Sequence, residues 1–188
     1  MKTLAGILAV ATLSGCTAPQ SLGLTDFERV LASENSATAA LTRWCRARGM
    51  AKPPAITAQR DLLEELAPPP AILALLQPGT AEQVAYRRVR LICGETVLSV
   101  AQNWYLPDRL SAEMNHALDT TDAPFGRVIA QTNFKRELLA SEHGRTAACP
   151  KDTILMQRAV LRLQDGRPVS AVVECYTSAN LAVATRAR

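Results

Sequence analysis

Two charged residues stand inside runs that otherwise look like β-strands, and they are the first candidates for chemistry. Glu174 follows the mostly apolar run 169–173, and Arg88 lies within the strand-like run 84–93. A carboxylate inside such a run is costly unless it meets a partner or a ligand. An arginine can bind a carboxylate through two hydrogen bonds, and a partly desolvated glutamate can exchange protons. The two residues therefore predict an enclosed polar pocket for a small carboxylate.

The alternation of side chains along a strand assigns these residues to faces of the predicted sheet. One face of the last strand carries Ser170, Val172, Glu174 and Tyr176. On the earlier strand, Arg88 shares its face with Tyr86, Arg90 and Ile92. A second interpretation also fits, in which the Glu174 face is exposed to solvent and Arg88 is a surface residue, because antiparallel sheets are often half-exposed.

Other common catalytic patterns are missing from the sequence. It has no G-x-S-x-G elbow, no glycine-rich phosphate loop, and no histidine paired with Cys or Ser and a third orienting group. His116 and His143 are isolated, without Cys, Asp or Glu at ligand spacing. We therefore expect neither a hydrolase nor a nucleotide-binding enzyme, and no metal.

The N-terminus has the layout of a lipoprotein signal. Lys2 precedes an apolar run that ends in Leu13-Ser14-Gly15-Cys16, and the thiol of Cys16 would accept the diacylglyceryl group. The apolar run is too short to span a bilayer. The alternative is a buried N-terminal helix with a chance cysteine. We expect a signal peptide at 1–15, a lipid-attached tether at 16–24 and one domain at 25–188.

This signal predicts a protein of the cell envelope that is anchored by the lipid on Cys16 and faces the periplasm. Thr17 follows the cysteine where an aspartate would favour retention in the inner membrane, so the outer membrane is preferred. The net charge of +4, or +3 without Lys2, is too mild to indicate a nucleic-acid partner.

Four further cysteines would lie in an oxidising compartment, which permits disulfides. Cys93 and Cys175 stand in apolar strand-like runs and are predicted to be buried free thiols. Cys45 and Cys149 lie in or near polar segments and are the favoured disulfide pair, although four cysteines allow three pairings.

Two hairpins dominate the predicted secondary structure. The strands 84–93 and 96–106 meet at Gly94-Glu95, and the strands 154–163 and 169–176 meet around Asp165-Gly166. With further strands near 55–59 and 133–139, they predict the α+β class: a single antiparallel sheet of about six strands, with helices packed on one side and covering the pocket.

The region from about Tyr86 to Leu181 resembles chorismate lyase (4-hydroxybenzoate synthase). The similarity rests on Arg88 five residues before Cys93, on Pro107 at the end of the return strand, and on two motifs: Pro124-Phe125-Gly126-Arg127, and Glu174 within residues 172–176. The segment 104–110 also resembles the effector-binding domain of GntR-type regulators, which shares this fold. No DNA-binding helix pair precedes it here, so we do not expect a repressor.

The resemblance implies a role for each matching residue. Arg88 would hold the ring carboxylate, Glu174 would contact the ring hydroxyl side, and the backbone N–H of Phe125 would help to fix the ring. Asn103 stands where the family has a second arginine, and Arg90 would supply that charge from the neighbouring strand.

The implied reaction eliminates pyruvate from chorismate to give 4-hydroxybenzoate, or acts on a related ring acid, without a metal or a cofactor. The alternative is a non-catalytic periplasmic lipoprotein that binds a small aromatic or acidic ligand in the same pocket.

Overall fold

Six antiparallel strands form one sheet in the computed structural model, which describes residues 23–61 and 66–182. Their order across the sheet is β1-β2-β3-β6-β5-β4. This confirms the predicted α+β class and the single antiparallel sheet. The strands are β1 (Ile56–Asp61), β2 (Ala85–Cys93), β3 (Thr96–Tyr105), β4 (Lys135–His143), β5 (Thr153–Arg162) and β6 (Pro168–Thr177).

Five α-helices accompany the sheet within the described residues, and a serine side chain caps the start of two of them. Ser36 Oγ accepts a hydrogen bond from the N–H of Ala39 and so caps the start of α2. A 3-10 turn at Pro107–Arg109 precedes α4, which begins after Ser111. The helices are α1 (Leu24–Ala32), α2 (Ala37–Ala47), α3 (Pro70–Leu76), α4 (Ala112–Thr120) and α5 (Phe125–Val128).

The first two helices pack on one face of the sheet. The ring of Phe27 in α1 lies 5.0 Å from that of Trp44 in α2 and 5.3 Å from that of Tyr176 in β6, and all three side chains are buried. Burial of such aromatic side chains is a major source of core stability. This cluster fixes α1 and α2 over the sheet.

The opposite face of the sheet is covered by α3, through Ile72 and Leu76 against Trp104 and Val173. This helix lies on the side of the sheet for which no helix was predicted. Since every residue of the central strand β6 is buried, both of its faces need a cover, and α3 supplies the second one.

The two disulfides differ from the predicted pairing. Cys45 bonds to Cys93, and Cys149 bonds to Cys175, so the predicted Cys45–Cys149 pair and the two free thiols are wrong. Cys45 lies in α2 and meets Cys93 on the face that α1 and α2 cover. Cys149 precedes β5 and meets Cys175 on the face of α3. The sheet separates the two cysteines that the sequence analysis paired.

The two edges of the sheet differ. At β1, the N–H of Ala58 donates to the carbonyl of Asp122, so the segment after α4 covers that edge. At β4, a bulge falls between Leu138 and Ala140, and Leu138 and Leu139 are exposed.

The predicted signal peptide 1–15 and Cys16 lie outside the described residues. In the part of the chain that is described, no helix combines the length and apolarity needed to cross a bilayer.

Candidate functional site

The register of the central strands brings polar side chains together under α2. Arg87 of β2 pairs with Asn103 of β3, and Ala101 of β3 pairs with Glu174 of β6. Directly paired residues of antiparallel strands project to the same face. There they line an enclosed space, called here the inner cavity, whose walls are Ser36, Ala37, Thr38, Arg87, Val89, Leu91, Ala101, Asn103, Phe125, Gly126, Phe134, Arg136, Leu161, Val172 and Glu174.

Three of the predicted site residues lie in this cavity, namely Glu174, Asn103 and Phe125. The predicted face of β6 is confirmed. Glu174 is 6% exposed, so the interpretation of its face as solvent-exposed is wrong.

Arg88 and Arg90 do not line the inner cavity, which corrects the prediction that Arg88 and Glu174 share one pocket. Arg88 pairs across strands with Gln102, whose side chain donates to the carbonyl of Ala148 at 3.1 Å on the other face of the sheet. Arg90 is exposed. The cavity that contains Glu174 is therefore lined by neither of the two arginines that the resemblance implies.

Arg87 is one of two arginines that line the inner cavity, and it was not among the predicted site residues. It shares its strand face with Val89, Leu91 and Cys93, which are apolar and buried. This alternation could have identified Arg87 from the sequence, because an arginine on the apolar face of a strand is expected to point into the protein.

A second missed residue, Arg136 of β4, forms an ion pair with Glu174. Its Nη2 lies 2.5 Å from Glu174 Oε2 and donates to Gln157 Oε1 at 3.0 Å. The hydroxyl of Tyr176 also donates to Glu174 Oε2, at 3.0 Å. Arg136 lies within the predicted strand 133–139, but the sequence of that strand did not show which of its side chains face the cavity.

The electrostatics of this cluster follow from burial and the Glu174 carboxylate. Burial, and then the Glu174 charge, raise the pKa of the Tyr176 hydroxyl well above its ordinary value. For Arg136, burial acts to lower the pKa, but the Glu174 carboxylate outweighs it, so the pKa lies above its usual range. Glu174 is therefore a buried carboxylate that is paired with Arg136 and Tyr176 through its Oε2 atom.

The polar atoms that remain open in the cavity are donors. Nε and Nη2 of Arg87, Nε of Arg136 and Nδ2 of Asn103 are buried without a hydrogen-bond partner among the described residues. Asn103 Oδ1 accepts from Ser170 Oγ, which leaves its amide nitrogen open. Buried polar groups without partners are rare and costly in folded proteins. Such a set of donors fits a ligand with anionic oxygens.

The charge balance of the inner cavity also favours an anionic ligand. Two guanidinium groups, of Arg87 and Arg136, face one carboxylate, of Glu174. Burial lowers the pKa of Arg87, the nearby Arg60 adds to that effect, and Tyr105 and Asp119 oppose it only in part. An anion would relieve this excess positive charge.

The inner cavity is small and closely covered. Its volume of about 50 Å³ is well below the several hundred Å³ of typical small-molecule sites, so it has room for an anionic head group only. The cover is tight where α5 meets the start of α2. A Cβ atom at Gly126 would overlap Ser36 Oγ and lie 3.2 Å from Thr38 Oγ1, so this close approach requires glycine.

The described residues contain no group of three or more His, Cys, Asp or Glu that could hold a metal ion. The expectation that neither a metal nor a cofactor takes part stays a prediction.

No family model matches the sequence. Among curated proteins, an uncharacterized protein, y4mC from Sinorhizobium fredii, is 41% identical over 169 residues, which cover 79% of this chain and 70% of the relative.

Several solved structures are similar in fold. PhnF from Mycobacterium smegmatis has a TM-score of 0.51 at 14% identity, with 79% of this chain and 66% of PhnF covered. The effector domain of PhnF, solved separately, has a TM-score of 0.49 at 14% identity and covers 77% of this chain and 89% of that domain. A possible transcriptional regulator, YydK from Bacillus subtilis, has a TM-score of 0.48 at 14% identity and covers 71% of this chain.

The chain spans 66% of the length of PhnF and 62% of that of YydK. At this level of identity the likeness concerns the fold alone. That fold is the chorismate lyase-like fold of GntR-type effector domains.

Proposed function

The chain belongs to the same family as the uncharacterized protein y4mC of Sinorhizobium fredii, and from that premise we propose that its domain binds a small organic carboxylate in the inner cavity. The observation that carries the proposal is the guanidinium of Arg87, which is buried and has two nitrogens, Nε and Nη2, without a hydrogen-bond partner among the described residues. The fork of an arginine matches the two oxygens of a carboxylate.

The other open donors support the same ligand. Asn103 Nδ2 comes from the strand position directly paired with Arg87, and Arg136 Nε approaches from β4. Glu174 is tied to Arg136 and Tyr176, so its negative charge is already compensated before a ligand arrives. A carboxylate bound at Arg87 would therefore meet donors rather than a competing anion.

We expect Arg87→Ala to weaken the binding of acetate and 4-hydroxybenzoate by about 10- to 150-fold, the effect of losing a charge-assisted hydrogen bond in a buried site. Isothermal titration calorimetry on the full chain measures this. Arg88→Ala is the matched control, because it removes the neighbouring arginine from the other face of the sheet and should leave the affinity unchanged. Equal affinity in the wild type and Arg87→Ala would overturn the proposal, as would a loss confined to Arg88→Ala.

Elimination of pyruvate from chorismate is the second candidate, and the position of Glu174 favours it. Its carboxylate lines the same cavity as Arg87 and Phe125, as a lyase of the resembled type would need. A pyruvate-release assay with chorismate separates the candidates. Binding of 4-hydroxybenzoate with pyruvate release supports the lyase, and binding without release supports the binding protein.

We further propose that the chain is a lipoprotein of the envelope, anchored through Cys16 and facing the periplasm from the outer membrane. The lipobox Leu13-Ser14-Gly15-Cys16 supports this proposal. The two disulfides also support it, because disulfides persist in oxidising compartments.

Metabolic labelling with a palmitate analogue should mark the wild type and leave Cys16→Ser unlabelled, since only a thiol accepts the diacylglyceryl group. Ser14→Ala keeps a small residue before the cysteine and should be labelled like the wild type. Equal labelling of Cys16→Ser would refute lipidation at this residue, and recovery of the labelled protein in the inner-membrane fraction would refute the outer-membrane assignment.

A further inference from the structure

A second, wider pocket lies directly outside the inner cavity, and we call it the outer groove. Its volume of about 670 Å³ falls in the range of small-molecule sites. It shares four lining residues with the inner cavity, namely Ser36, Thr38, Gly126 and Phe134. These four residues form the boundary between the two spaces, so one ligand that crosses the boundary would occupy both.

The outer groove has an excess of positive charge. Three arginines, Arg43, Arg46 and Arg127, line it with a single carboxylate, that of Glu34, among its described residues. Arg43 Nη1 lies 3.4 Å from Glu34 Oε1, and Arg127 Nη2 donates to the carbonyl of Ile56 at 2.9 Å. The fold thus holds two of the three cations in place, while Arg46 is exposed in the last turn of α2.

The inner cavity is too small to hold a whole organic ligand, so the outer groove next to it can receive the remainder. Since about 50 Å³ accommodates only a head group, the rest of any organic ligand bound at Arg87 must extend out of the cavity. The outer groove adjoins that exit, and its surplus cations would attract a negative charge at the far end of the ligand.

We infer that the outer groove is a second anion subsite and that the ligand is an organic dianion. One carboxylate lies in the inner cavity at Arg87, and the second lies in the outer groove at Arg43 and Arg46. This inference rests on the proposed function, because it takes the first carboxylate as bound at Arg87.

For the ligand to span the boundary, the contact between Gly126 and Ser36 has to open. The helix α2 is bonded to β2 through Cys45–Cys93 and buries several of its residues, whereas α5 has four residues and buries none. The less buried side of this contact is therefore α5.

The inference is tested by calorimetry on the full chain with matched pairs of acids of increasing length: succinate with butyrate, glutarate with valerate, adipate with hexanoate, and suberate with octanoate. The series scans the separation of the two charges. We expect the dicarboxylates to reach an optimum length at which they bind about fivefold more tightly than the matched monocarboxylate, as for a partly exposed ion pair. This advantage should shrink as salt is added.

Substitutions of Arg46 test whether the tighter binding of the dicarboxylates depends on the outer groove. Arg46→Ala should remove most of it, and Arg46→Glu should reverse it, while the affinity for the matched monocarboxylates falls far less. Arg158→Ala removes an exposed arginine of β5 outside both pockets and should change neither affinity.

The outcomes separate the two proposals. Equal affinities within every pair, or equal losses for both acids in Arg46→Glu, overturn the outer subsite and leave the proposed function standing. If no acid of either kind binds, or if Arg87→Ala leaves all affinities unchanged, the proposed function fails, and the inference fails with it.

Discussion

Arg136→Ala and Glu174→Ala are each expected to lower the free energy of unfolding by about 3–5 kcal/mol, because each leaves a buried charge without its partner. The two side chains are 9% and 8% exposed and lie 2.5 Å apart. Urea denaturation of the full chain measures the loss. The double change to leucine should recover much of it, since a buried ion pair can often be replaced by apolar side chains.

Arg162 and Glu137 form the matched control. They form an ion pair between β5 and β4, at 2.8 Å, but their side chains are 34% and 52% exposed. Exposed pairs contribute about 0–1 kcal/mol, so Arg162→Ala should have a small effect. A loss for Arg136→Ala as small as that for Arg162→Ala would contradict the role given to the buried pair.

Removal of the Cys45–Cys93 disulfide is expected to cost about 4 kcal/mol, the chain-entropy value for its separation of 48 residues. For Cys149–Cys175, with a separation of 26 residues, the same relation gives about 3.5 kcal/mol. Changing both cysteines of a pair to alanine avoids a stray thiol, and denaturation then measures the loss.

Reduction of the wild type is the control for these variants. It should lower stability by more than either double variant, because it opens both disulfides. Peptide mapping without reduction should find Cys45 linked to Cys93. A stability that is insensitive to reductant, or a Cys45–Cys149 peptide, would show that the pairing is wrong.

Much of the sheet could be predicted from the sequence because the two hairpins carry local signals. The turns at Gly94 and Gly166 both adopt positive φ, which glycine tolerates, and strands of regular alternation flank them. The second cover, α3, could not be predicted. Its short apolar run is compatible with a strand or a helix, and only the burial of both faces of β6 decides where it packs.

The site was predicted in part for a similar reason. Glu174 interrupts a strand of strong alternation, so its face could be assigned. The run Arg87-Arg88-Val89-Arg90 has arginines on both faces of its strand. The apolar residues that share the face of Arg87 indicate that Arg87, and not Arg88, points into the protein. Arg136 and both disulfides depend on contacts between distant segments, about which local sequence carries no information.

The bulge in β4 has a consequence for how copies of this protein behave at high concentration. An open strand edge with exposed leucines is a template on which another chain can add a strand and so begin aggregation. Between Leu138 and Ala140 the ladder of backbone groups is interrupted, and Lys135, Glu137 and Glu142 place charges along the same edge. Because a regular incoming strand cannot keep its register past the bulge, edge-to-edge growth of the sheet beyond six strands is disfavoured.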